Sequence, residues 1–152
     1  MHDTQRSTGA GTDTTPPATP QPWREHQPPG LMNTLGPLLS RREGDGWAYG
    51  LRIDERHLNP AGMVHGGTLT ALMDHALSAI AWSGNDKAPC VTVQLNMNFL
   101  SAARAGATLV ARGRITQQGG SLIFMEGSVH DGGACMATAQ AVMKRLADRK
   151  GG

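Results

Sequence analysis

One stretch carries the residue types and spacing from which chemistry could be built. It runs Asn59-Pro60-Ala61-Gly62-Met63-Val64-His65-Gly66-Gly67 and is followed by a carboxylate at Asp74. From Leu69 onward, Leu72, Met73, Ala76, Leu77 and Ile80 recur at the i, i+3, i+4 spacing of one helical face. The opposite face holds Gly67, Ala71 and Ser78, all small and uncharged, so cover is expected on both sides. Asp74 sits beside these small residues, too far along the helix for the dipole of the first turn to account for it. A carboxylate there serves as a general base or nucleophile, or else as a structural hydrogen-bond acceptor. The residues alone leave both open. Gly66 falls where the helix begins, so its N–H is one of the amides a helix leaves unpaired and suits a developing oxyanion. The same glycine equally serves to admit the chain into the helix. Asn59 reads as an amide donor or as the opening of an Asn-Pro turn. His65 either holds the loop or reaches a substrate.

Other elements must position this stretch. Trp47 to Ile53 alternates and predicts a first strand. The central helix ends near Trp82. Cys90 to Leu100 is the clearest strand, with Val91, Val93, Leu95, Met97 and Phe99 expected on one face. Thr92, Gln94, Asn96 and Asn98 are expected on the other. Further strands are predicted at 107–116, 121–129 and 134–146, joined by hairpins at Gly119-Gly120 and Asp131-Gly132-Gly133. Short hairpins make an antiparallel sheet, and one long helix on its face makes an α+β domain. Gly30 to Leu39 is expected as a short helix interrupted near Pro37, and 41–45 as a charged turn. Residues 1–29, rich in Thr, Pro, Gly and Gln, are expected to form a disordered extension. The domain is then 30–148, with a flexible tail at 149–152.

Composition narrows the function classes. A chain of 152 residues suits one domain. With 39% hydrophobic and 4% aromatic residues, its core must be aliphatic and rich in Met and Ala. A net charge of +2, scattered along the chain, gives no footprint for nucleic acid. No apolar run approaches the roughly 18 residues of a membrane span, and no secretory signal is evident, so a cytoplasmic protein is expected. Cys90 and Cys135 lack metal-ligand spacing and read as reduced core residues.

The run Asn59-x2-Gly62-x2-His65-Gly66-Gly67-x6-Asp74, together with Phe99-Leu100-x3-Arg104-x-Gly106, resembles the hotdog-fold acyl-CoA thioesterases of the PaaI-like (phenylacetate-degradation) type. The likeness extends from about Trp47 to Leu146. It implies an antiparallel sheet wrapped around one central helix, in homodimers that often pair into tetramers, with sites at the dimer interface. It also implies hydrolysis of an acyl-CoA without metal or other cofactor. Within it, Gly66 stabilises the oxyanion, Asp74 is base or nucleophile, and Asn59 and His65 assist. Thr92 would place the water, Gly67 would line the substrate, and Arg104 would meet CoA phosphate. An enoyl-thioester hydratase on the same fold is a rival, separated by having a His-centred pair in the preceding loop. A non-catalytic acyl-CoA sensor is another, but residues 1–30 show no DNA-binding pattern.

Overall fold

The computed structural model describes residues 19–147, and these form a seven-stranded antiparallel sheet and one long helix. The strands are β1 (Arg24–His26), β2 (Leu38–Glu43), β3 (Gly46–Arg52), β4 (Cys90–Phe99), β5 (Thr108–Gly119), β6 (Leu122–Asp131) and β7 (Ala134–Arg145). A one-turn helix α1 (Leu31–Leu35) precedes β2, and α2 (Gly66–Ser83) lies between β3 and β4. The sheet order is β1-β2-β3-β5-β6-β7-β4. This is the hotdog arrangement: α2 packs on the inner face of β3 to β7.

The core is aliphatic, as the composition requires. Leu72, Met73, Ala76 and Leu77 of α2 are fully buried against Leu109, Ala111, Val129, Ala137 and Met143. Each buried Leu or Met is worth about 1.5–3 kcal/mol of apolar transfer. Close approach of helix to sheet depends on Gly113 and Gly127, which pair across β5 and β6. A Cβ at Gly127 would stand 2.8 Å from Met73 Sδ, and one at Gly113 would collide with Leu77. Without side chains at these two positions, α2 settles deeply enough to exclude water.

The N-terminal part departs from expectation. Leu38 and Leu39 do not continue a helix. They begin β2, which runs through Arg41–Glu43, and the turn contracts to Gly44-Asp45. Pro37 stops α1, and pairing with β3 then recruits the charged residues into a strand, because Glu43 bonds Arg112 of β5 at 2.6 and 2.9 Å. Within the expected disordered extension, Arg24–His26 pairs with β2 as β1, all three side chains exposed. Residues 1–18 and 148–152 lie outside the described residues. No helix among the described residues is long and apolar enough to cross a membrane.

Candidate active site

The loop before α2 folds by local hydrogen bonding. Asn59 Oδ1 accepts from the Ala61 and Met63 amides at 2.9 and 3.2 Å, and the Asn59 carbonyl accepts from Gly62 N–H. Gly62 takes φ +76°, which closes the turn. His65 is the N-cap of α2: its Nδ1 accepts the Gly67 N–H at 2.8 Å. That bond assigns the proton to Nε2. It also explains Gly67, where a Cβ would lie 2.9 Å from His65 Nδ1.

Gly66 N–H is left over. It has no hydrogen-bond partner among the described residues and opens on a groove of about 390 Å³ lined by Asn59, Met63, Leu69, Phe99 and Leu100. The Phe99 ring lies against Gly66, so a Cβ there would come within 3.3 Å of it. A lone amide in an apolar groove, at the positive end of an 18-residue helix, is a strong place to hold a developing oxyanion.

Asp74 forms a separate cluster. Its Oδ1 accepts from Thr92 Oγ1 at 2.7 Å, while Thr92 also touches Met143 Sδ at 3.3 Å. Thr92 was expected on the polar face of its strand. It faces the helix instead, because β4 has a bulge: Thr92 pairs with Met143 and Gln94 with Val142, leaving Val93 unpaired between them. The extra residue reverses the alternation, so Thr92, Leu95 and Met97 point inward and Val91 and Val93 outward. Asp74 is half-buried, its second oxygen without a partner among the described residues.

Gly66 and Asp74 stand eight positions apart in α2, about 12 Å along the axis at 1.5 Å per residue. The two groups therefore lie at separate places along the helix. Arg104 is exposed, with no side-chain partner among the described residues. Its turn touches the loop through Ala103, whose carbonyl accepts from Val64 N–H at 2.8 Å. His75, next to Asp74, turns away and stacks edge-on against Tyr49 at 5.8 Å. Burial, helped by His26, pushes its imidazole below the usual histidine range, against the pull of Asp74.

Residues 61–135 match the family model described as thioesterase superfamily. An esterase of Pseudomonas aeruginosa, provisionally so named, is 36% identical over 114 residues, covering 74% of this chain and 85% of its own. The chain belongs to the thioesterase superfamily. Mouse acyl-coenzyme A thioesterase 13 is 35% identical over 75 residues, 49% of this chain, and the match spans 53% of that enzyme. A crystal structure from Ralstonia eutropha, of a phenylacetic acid degradation-related protein provisionally named a thioesterase, is similar at TM-score 0.67 and 31% identity, covering 77% of this chain and 90% of its own.

Within this family frame, the structure brings Asn59, His65, Gly66 and Gly67 into one loop and Asp74 with Thr92 into another cluster. Arg104 stands apart from both in side-chain contacts. The Gly67 amide is engaged by His65, so it is closed to a substrate. Two groups were given no role at the site by the sequence reading. Phe99 covers Gly66 from β4, and His57 lies beneath the loop, buried to 1% exposure. Its position two residues before Asn59 was the available signal.

Proposed function

We propose that this thioester hydrolase is an acyl-CoA thioesterase working as a homodimer, singly or paired into a tetramer. Each site takes the Gly66 loop from one chain and Asp74 with Thr92 from the other. The observation that carries this reading is the pair of incomplete half-sites about 12 Å apart on one helix. The edge of β4 supports the dimer. It is ten residues long, unpaired on its outer side among the described residues, and shows Val91, Val93 and Phe99 at 45%, 59% and 54% exposure. A long apolar edge is a template for a second strand. Antiparallel joining of two β4 strands would also cover Ala71, Asp74 and Ser78.

In this reading the thioester oxygen accepts from Gly66 N–H, and a water lies against the free oxygen of Asp74. Asp74 takes the proton as the water oxygen attacks the carbonyl carbon. The tetrahedral oxyanion collapses, the carbon–sulfur bond breaks, and the CoA thiolate takes the proton back. One oxyanion donor is worth about 2.7–4 kcal/mol, and a positioned base about 10²–10⁴-fold. Thr92 holds Asp74 in one rotamer and occupies its other oxygen. Asp74 could instead attack directly, forming a mixed anhydride that water then cleaves. Asn59, its oxygen committed to the turn, offers only its NH₂ to the substrate, and Arg104 is free to meet a CoA phosphate. A CoA substrate fits a cytoplasmic location.

The hydratase alternative would need His65 as the proton carrier. Its Nδ1 is occupied by Gly67 N–H, and no carboxylate pairs with it among the described residues. The test is thiol release from a panel of acyl- and aryl-acyl-CoA substrates, run beside hydration of a crotonyl-CoA. Hydration without thiol release would sink the reading.

A further inference from the structure

The start of α2 has a mechanical problem. Gly66 and Gly67 are consecutive, and two glycines lose more conformational freedom on folding than any other pair. A Gly66 amide aimed at a reacting oxygen therefore needs anchors on both sides of it. His57 supplies them from below. Its imidazole is enclosed: Nδ1 accepts the Asp54 N–H at 2.9 Å, which assigns the proton to Nε2, and Nε2–H meets the Leu35 carbonyl at the end of α1. The backbone carbonyl of His57 then accepts twice, from His65 N–H at 2.8 Å and from Thr68 Oγ1 at 3.1 Å. These two donors bracket Gly66 and Gly67 in the chain. Thr68 is itself 7% exposed and does not line the groove beside Gly66, so its hydroxyl serves the carbonyl.

We propose that His57 and Thr68 are positioning residues for thioester hydrolysis. Together they form a buried tether that clamps the Gly66-Gly67 turn from both ends and fixes the direction of the Gly66 N–H. The inference rests on the reading that Gly66 N–H holds the oxyanion. The oxyanion forms only in the transition state, so loosening the tether acts on kcat and leaves substrate binding nearly unchanged. Misplacement of about 1 Å at a reacting group can cost 10²-fold, so partial loosening is expected to cost tenfold or more.

The test compares Thr68→Val, which keeps the shape and removes the donor, with Thr68→Ser, which keeps the donor. A second variant, His57→Gln, retains a donor for Leu35 but not the acceptor for Asp54. Steady-state hydrolysis, thermal melting and light scattering are measured on each, with Asp74→Asn as reference. The tether is supported if Thr68→Val lowers kcat about tenfold or more at unchanged KM, stays folded in the parent's oligomeric state, and is rescued by serine. A parent-like kcat in Thr68→Val, with Asp74→Asn inactive, overturns the tether and leaves the reading of the reaction standing. Parallel loss of kcat, KM and melting temperature in Thr68→Val and His57→Gln makes the bonds merely structural and also overturns it. An unaltered chain that releases no thiol from the acyl-CoA panel overturns the functional reading, and the tether's role with it.

Discussion

The two proposed half-sites are built in opposite ways. The loop from His57 to Gly67 is saturated by its own hydrogen bonds: Asn59 to Ala61 and Met63, His65 to Gly67, and the His57 carbonyl to His65 and Thr68. Every backbone amide of the loop is spent but one, that of Gly66. The Asp74 cluster is sparse. One hydroxyl holds one carboxylate oxygen, and the other oxygen is open. A group that must hold a developing charge gains from rigidity. A group that must take up and return a proton needs an unspent acceptor and room for water.

The contrast makes sharp predictions. The largest effect belongs to the open oxygen. Asp74→Asn should keep the fold and lower kcat by about 10²-fold or more, with KM much less changed. A variant retaining half its kcat would reduce Asp74 to a structural carboxylate. Mixing inactive Asp74→Asn chains with inactive Gly66→Val chains tests whether the halves come from two subunits. Random exchange should restore about a quarter of parent activity, because about half the dimers carry one intact site. No recovery after verified exchange would mean that each chain makes its own site.

Gly66→Ala should be milder than the valine, though still harmful to rate and binding together, since the added methyl meets Phe99 at 3.3 Å. Thr92→Val should cost less again, about tenfold in kcat, because Asp74 keeps its charge and loses one hydrogen bond. Steady-state kinetics on folded variants checks the order, and a Thr92→Val effect as large as that of Asp74→Asn would break it.

Smaller effects lie away from the site. Arg112 chiefly, with Arg41, holds the Glu43 carboxyl down at about 2 against the opposing effect of burial. Glu43 therefore binds fewer protons folded than unfolded, and its contribution to stability is present above about pH 4.5 and lost as pH falls toward about 2. Melting curves at several acid pH values should show this loss, and Arg112→Gln should flatten it. Least of all should come from removing residues 1–29. Such a chain loses β1, whose side chains are exposed and whose Glu25–Arg52 ion pair lies in solvent. Folded protein with most of its hydrolysis gone would give the segment a role in the site.

Whatever depended on neighbours in sequence was legible from the sequence. The Asn59 turn, the Gly66 start of α2, its buried stripe from Leu69 to Leu77, and the Gly-rich hairpins of β5 to β7 all follow from hydrogen bonds and periodicities a few residues long. The run from Asn59 to Asp74 was legible for the same reason, and with it the family. Tertiary structure decided the rest. Strict alternation placed Thr92 away from the helix, and only pairing with β7, which leaves Val93 bulged, turns it to Asp74. The charged stretch from Arg41 to Glu43 looked like a turn because the group that satisfies Glu43 in the sheet, Arg112, lies 69 residues away. His57 has a local partner in Asp54, but its burial also needs the Leu35 carbonyl, 22 residues earlier. Period and propensity reach only a few residues along the chain. Register, bulges and buried polar bonds are fixed by groups distant in sequence, so they appear only once the sheet has closed around the helix.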